Sequence, residues 1–135
     1  MTIVTEKHEL PVPPRLERVQ PVLMVRDVPA SIRFYVERLG FTLAFEDAPG
    51  DPKYAGVKRD GVELHLQWHD AREWDYPNDR PTYRFVVQDV DGLFEELTGR
   101  GGLSPSSAVR DTPWGTREFH VQDPDRNGLQ FYRDR

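Results

Sequence analysis

The sequence predicts an α+β fold made of two copies of one βαβββ unit. Three observations carry that expectation. Val25-Arg26-Asp27-Val28 runs into a helical pattern, and Val87-Gln88-Asp89-Val90 runs into another, an offset of 62 positions from Asp27 to Asp89. Later in each half a strand repeats, Leu64-His65-Leu66 and Leu129-Gln130-Phe131, an offset of 65 from Leu64 to Leu129. Each of these strands follows a turn and a partner strand, and self-similarity at a fixed spacing is the mark of a duplicated supersecondary unit.

Residues 1–18 are polar and carry Pro11, Pro13 and Pro14, which block regular pairing and favour an extended arm that lies along a partner subunit or stays solvated, as His8 does. One domain is expected after it, residues 19–135, with its modules at about 19–69 and 81–133. The first strand is predicted over 19–26, with Pro21 near its start because proline donates no ladder hydrogen bond. Residues 29–40 place Pro29 in the first turn, Ile32, Tyr35, Val36 and Leu39 at helical spacing, and Gly40 as terminator. Residues 41–45 alternate into a strand, and 47–53, with two prolines and Gly50, read as a mobile edge. A turn at Lys58-Arg59-Asp60-Gly61 joins strands at 54–57 and 62–68. Residues 70–81 form a polar, aromatic-bearing linker. The second helix covers 91–100, with Leu93, Phe94 and Leu97 inward and Gly101-Gly102 ending it. A strand over 114–121 then turns at Asp123-Pro124-Asp125-Arg126-Asn127-Gly128, where Asp123 and Asp125 can bond local amides and Asn127-Gly128 tolerates left-handed geometry. The last strand begins at Leu129.

A length of 135 residues, 37% apolar, suits one packed domain. Neither a membrane-length apolar run nor a secretory leader is read, so the expected compartment is the cytosol and no membrane partner is expected. The chain contains no cysteine, which excludes disulfides and thiolate chemistry. Its net charge of −5 argues against a general nucleic-acid binder and mildly favours a cationic ligand.

The segments Val25-Arg26-Asp27-Val28, Phe34, Tyr35, Leu39, Gly40 and Phe41, Gly61-Val62-Glu63-Leu64-His65-Leu66, Pro113-Trp114-Gly115 and Asp123-Pro124-Asp125, in that order, resemble the glyoxalase, bleomycin resistance and extradiol dioxygenase superfamily over about residues 19–133. The resemblance implies paired βαβββ modules whose curved mixed sheets enclose a cleft, often completed by a second subunit. It also implies four positions where metal-dependent relatives place mostly His and Glu: here Gln20, His65, Thr82 and Gln130. Only His65 is a strong ligand for a divalent ion. The Gln amides are weak and Thr82 is weaker still, so this set lacks an anionic donor unless Glu63 or Glu118 moves in.

The residues left to line the cleft are Gln20, Val22 and Met24, then Glu63, His65 and Gln67, then Thr82, Arg84, Gln130 and Tyr132. This lining offers many hydrogen-bond partners and no activated nucleophile. Glu118 and His120 lie two apart on one strand and point the same way. His69 beside Asp70 reads as a solvated loop residue. Trp68, Trp74 and Trp114 offer flat surfaces for a planar ligand, with acidic residues nearby for a cation. The weak metal set, together with the resemblance, points to a homodimeric, metal-independent binding protein without cofactor, rather than to an enzyme, that sequesters a small molecule such as a bleomycin-type antibiotic. Its ligand contacts would be Gln20, Glu63, His65, Gln67, Thr82, Arg84, Trp114, His120, Gln130 and Tyr132. The alternative it implies is a glyoxalase-type lyase or isomerase with a divalent metal at His65, Gln20 and Gln130.

Overall fold

The structure, a computed structural model, describes residues 12–74, 81–103 and 107–135. The expectations for residues 1–11, including His8, and for 75–80 of the linker lie outside the described residues. Residues 12–18 form no regular element and are exposed.

Each half of the chain folds as one βαβββ unit. In the first, β1 (Val22–Val25), β2 (Thr42–Glu46), β3 (Tyr54–Arg59) and β4 (Val62–Trp68) form a sheet ordered β1-β4-β3-β2. In the second, β5 (Thr82–Val86), β6 (Arg110–Asp111), β7 (Thr116–Gln122) and β8 (Gly128–Asp134) form a sheet ordered β5-β8-β7-β6. The same topology recurs in both: the first strand of a unit pairs in parallel with its last, and the remaining pairs are antiparallel. Joining two parallel neighbours requires a crossover, which α1 (Val28–Arg33) supplies in the first unit and α2 (Val90–Arg100) in the second.

The repeated aspartates are the reason both helices start where they do. Asp27 accepts a hydrogen bond from the Ala30 amide and Asp89 one from the Gly92 amide, both at 3.0 Å, satisfying donors the first helical turn leaves open. Helix α2 ends at Gly101, whose φ of 75° only glycine adopts without strain. Helix α1 departs from the expected regular helix, because residues Phe34–Arg38 continue it as a π-helical turn. That wider turn carries Tyr35 and leads to Leu39, both fully buried.

The two units share one core. Leu23, Val25, Leu64 and Leu66 from the first sheet pack in the same buried cluster as Phe119, Val121, Leu129 and Phe131 from the second, with Tyr35, Leu39 and Leu97 from the helices. Each such aliphatic side chain contributes about 1.5–3 kcal/mol on burial. Leu23, Val25, Leu64, Leu66, Tyr83, Phe85, Phe119, Val121, Leu129 and Phe131 pack in or against this core, so the alternating residues Val22, Met24, Glu63, His65, Thr82, Arg84, Glu118, His120, Gln130 and Tyr132 occupy the opposite, open faces.

Several boundaries differ from expectation for local reasons. Strand β1 is shorter at its start, where Pro21 contributes only its carbonyl, accepting from the His65 amide at 2.9 Å. The first hairpin turns on Asp60-Gly61 alone, with Asp60 at φ 52°, so β3 extends to Arg59. In the last turn it is Arg126, at φ 66°, that takes the left-handed conformation, while Gly128 already belongs to β8. The loop expected to be a mobile edge is closed by Asp47, which accepts from the Lys53 amide at 2.9 Å. Among the described residues no helix is long and apolar enough to cross a membrane.

Candidate functional site

The open face of the first sheet is built around His65. With the imidazole neutral, its Nε2–H donates to the Glu63 carboxylate, 2.8 Å away, and its Nδ1 accepts from the Tyr54 hydroxyl, also at 2.8 Å. Gln20 donates to the same Glu63 carboxylate at 3.0 Å. The hydrogen bond from His65 holds Glu63 below the usual glutamate range, so it is ionised at neutral pH. A bulge between Leu43 and Phe45 sets Phe45 opposite Gly56. A Cβ at Gly56 would overlap the Phe45 ring, so the missing side chain lets that ring lie against the strand. Phe45 stacks on Tyr54 at 6.1 Å between centroids and meets His65 edge-on at 5.1 Å. The face thus combines one carboxylate with an aromatic shelf.

The open face of the second sheet is built around a buried carboxylate. Glu118 is only 1% exposed, yet it belongs to the face away from the core. One oxygen accepts from the Thr116 hydroxyl and the other from His120 Nε2, each at 2.5 Å. Burial pushes its pKa up, but the hydrogen bonds from Thr116 and His120 and the charge of Arg84 outweigh it, leaving Glu118 below the usual range. Arg84 Nη1 lies 3.9 Å from Glu118 Oε1 and donates to Gln130 Oε1 at 2.7 Å. Its guanidinium covers the Tyr132 ring, 4.0 Å from the centroid. Arg84 and His120 stand on either side of Gln130 in the strand register.

Of the residues expected to line one cleft, Glu63 and His65 lie on the first sheet, with Gln20 just before β1, and Arg84, Gln130, Tyr132 and His120 lie on the second, while Glu63, Thr82 and Arg84 line one cavity together. Gln67 bonds His69 at 3.3 Å at the end of β4. His69, which also lies 3.4 Å from Glu73, is a partnered residue rather than the solvated one expected. Thr82 sits two residues before Arg84, opposite Gly128. Trp114 is 63% exposed at the tip of the turn that joins β6 to β7, where Thr112 and Thr116 close the backbone. Trp68 is covered by the Lys53 ammonium at 5.0 Å; the side chain of Trp74 lies outside the described residues. Glu118 and His120 do touch, and Glu118 bonds within its own sheet rather than joining Glu63.

Sequence reasoning passed over Tyr54, Phe45 and Thr116. Counting back from the Asp-Gly turn would have found Tyr54, because pairing of Arg59 with Val62 sets Gly56 opposite His65 and Tyr54 opposite Gln67. No pattern in the sequence announces the bulge that brings Phe45 over Gly56.

The four positions that resemblance assigns to a metal do not suit one. Both ring nitrogens of His65 are engaged, Gln130 Oε1 is taken by Arg84, and Gln20 presents its amide nitrogen to Glu63. A divalent ion would have to break these contacts in exchange for neutral amide and hydroxyl donors. Among the described residues no three His, Asp or Glu side chains cluster as ligands.

Comparison with known proteins bears on this geometry. A protein named bleomycin resistance protein from Geobacillus stearothermophilus is 31% identical over 128 residues, covering 84% of this chain and 93% of its own, and one from Staphylococcus aureus matches equally. A crystal structure of a bleomycin-binding protein from bleomycin-producing Streptomyces verticillus, complexed with copper(II)-bleomycin, superposes with a TM-score of 0.69 at 30% identity, covering 90% of this chain and all of the other. A second bleomycin-binding protein, complexed with bleomycin, superposes at 0.73 with 22% identity, a likeness of fold alone. The model of the glyoxalase/bleomycin resistance protein/dioxygenase superfamily matches residues 15–131, and the chain belongs to that superfamily.

Proposed function

We propose that this protein binds a small-molecule antibiotic of the bleomycin class and sequesters it, without a metal of its own, in clefts completed by a second copy of the chain. The observation that carries the reading is the 31% identity, over 84% of this chain, to proteins named for bleomycin resistance. The sites support it. A carboxylate beside an aromatic shelf of Phe45, Tyr54 and His65 suits a planar, cationic molecule. The donor set at His65, Gln20, Thr82 and Gln130 favours hydrogen bonding over metal coordination.

Two open faces that leave Val22 43% and Val86 66% exposed are incomplete as ligand sites, which supports a homodimer in which one chain covers the other. Isothermal titration calorimetry against copper(II)-bleomycin tests the function. Saturable heat with one ligand per chain is expected; no heat with this drug, nor with metal-free bleomycin, overturns it.

A further inference from the structure

Away from Glu63, His65, Arg84 and Glu118, a half-open cavity of about 280 Å³ lies where the two modules meet. The first module contributes Leu39, Phe41 and Val62 to its wall, and the second Phe85, Leu93 and Phe131. Leu39, Phe41 and Phe131 are buried, whereas Val62, Phe85 and Leu93 pack against the same core and are covered only in part. Protein interiors ordinarily close such gaps, because a void forfeits the dispersion contacts of the side chains around it. Here the gap stands between modules and opens to solvent, so a small molecule can reach it without unfolding the chain.

The lining selects the guest. Phe85 and Phe131 are stacked, 4.9 Å between centroids and 19° between planes, and supply aromatic surface for a third ring to pack on. The charged groups at the rim are Arg59 and Asp60. Arg59 gives both Nη groups to Glu96 and the Leu39 carbonyl, and the Asp60 side chain is 91% exposed, 3.8 Å from Arg59 Nε. A charged guest would therefore shed its water without gaining a partner inside, a penalty that an apolar guest avoids. A dry apolar cavity of roughly 150 Å³ takes benzene, so this one has room for a second ring.

We propose that this intermodule cavity is a second binding site, for a neutral, planar aromatic molecule of about two rings. Such a guest buries half-covered apolar surface of both modules at once, and by binding only the folded chain it stabilises their packing. The site is independent of the antibiotic reading.

The test uses naphthalene as probe, with 2-naphthoate and 2-naphthylmethylammonium as charged counterparts, and follows the methyl NMR signals of Val62, Leu93 and Leu97 in the full-length protein. Naphthalene is expected to shift all three saturably, and each charged counterpart to bind at least ten-fold more weakly. Leu93→Trp and Val62→Phe fill the cavity from opposite modules. Each should weaken naphthalene at least ten-fold while keeping or raising the unfolding temperature of the free protein. Methyl signals that ignore naphthalene up to its solubility limit, charged counterparts that bind equally well, or a folded filled variant that binds as the parent does overturn the site. Shifts confined to the open face around Phe45 and Tyr54 overturn it too. Saturable naphthalene shifts in a protein that gives no heat with copper(II)-bleomycin would sink the antibiotic reading and leave the cavity standing.

Discussion

The phenol of Tyr35, on the helix of the first module, donates a 2.9 Å hydrogen bond to the carboxylate of Asp123 in the last turn of the second. Asp123 also accepts from the amides of Asp125 and Asn127 and from the Asn127 side chain, which in turn reaches the carbonyl of Met24 at 3.1 Å. Asp125 accepts from the Arg26 amide. One turn of the second module thus fastens the end of β1 and the side of its helix, within a single chain. Burial pushes the Tyr35 phenol well above its ordinary range and Asp123 above that of a free aspartate.

Removing the hydroxyl leaves that buried carboxylate one donor short while keeping the ring packed edge-on against Phe34 and Phe41. Tyr35→Phe is therefore expected to cost about 1–3 kcal/mol of unfolding free energy, the size of a hydrogen bond to a charged group. Urea unfolding measures it. A midpoint unchanged from the parent protein would show that the clasp contributes nothing.

A second link between the modules titrates in the ordinary direction. Arg59 donates to both oxygens of Glu96, at 3.0 and 2.8 Å, and Arg100 adds a third bond at 2.8 Å. The hydrogen bond from Arg59 is the main cause holding Glu96 below the usual glutamate value of 4.5. A carboxyl whose pKa is lowered by folding stabilises above its unfolded value, and this stabilisation is lost as pH falls through its folded value. Glu96 is 35% exposed, so screening limits the effect to about 1 kcal/mol or less. Glu96→Gln should therefore be slightly less stable than the parent at pH 7, with the gap closing below about pH 4. Asp123, raised by burial, acts in the opposite sense and favours the acid side. A gap that persists unchanged at pH 3 would assign the loss at Glu96 to packing rather than charge.

Much of the fold was legible because its punctuation is chemical. Asp27 and Asp89 each cap a helix, Gly101 ends one, and the alternation in β4 and β8 separates core from open face, so the duplicated unit can be read from residue types alone. The π-helical turn at Phe34–Arg38 could not be: no residue type marks it, and the buried contact of its Tyr35 is with Asp123, 88 positions away. The site was half legible for a similar reason. Periodicity places Glu63, His65, Arg84 and Gln130 on open faces, but which of them touch is decided by register and by the β2 bulge. Those features set the hydrogen-bonded partners of His65 apart from those of Glu118, although Glu63, Thr82 and Arg84 line one cavity.

The His65 group yields a prediction about metal. With both nitrogens committed to Glu63 and Tyr54, His65→Ala should lower ligand affinity by about 1 kcal/mol, one hydrogen bond, and leave folding intact. Gln130→Glu supplies the carboxylate that the resemblance places there in metal-dependent relatives. It stands 2.7 Å from Arg84, so it is expected to form an ion pair and leave zinc affinity unchanged. Zinc titration of parent and variant decides the matter. A gain of ten-fold or more in Gln130→Glu would show that Gln20, His65 and Gln130 converge after all.

Association provides the last prediction, and it is independent of any ligand. Val22 and Val86 sit on the two open faces beside polar residues, 43% and 66% exposed, and Phe45 is 39% exposed over Gly56. Leaving these side chains in water forfeits the gain from burying them, roughly 25 cal/mol for each Å² of apolar surface, and a second chain can recover it. The first face carries Glu63 and the second carries Arg84, so a twofold arrangement that sets one chain's first face against its partner's second is complementary in charge as well as apolar. A dimer at micromolar concentration with two equivalent sites is expected from sedimentation equilibrium. Val86→Asp, which sets a carboxylate into that seam without touching the shared core, should shift the protein toward monomer and lose ligand at both sites together. A parent protein that sediments as a monomer and still binds ligand one-to-one would rule out a cleft shared between chains.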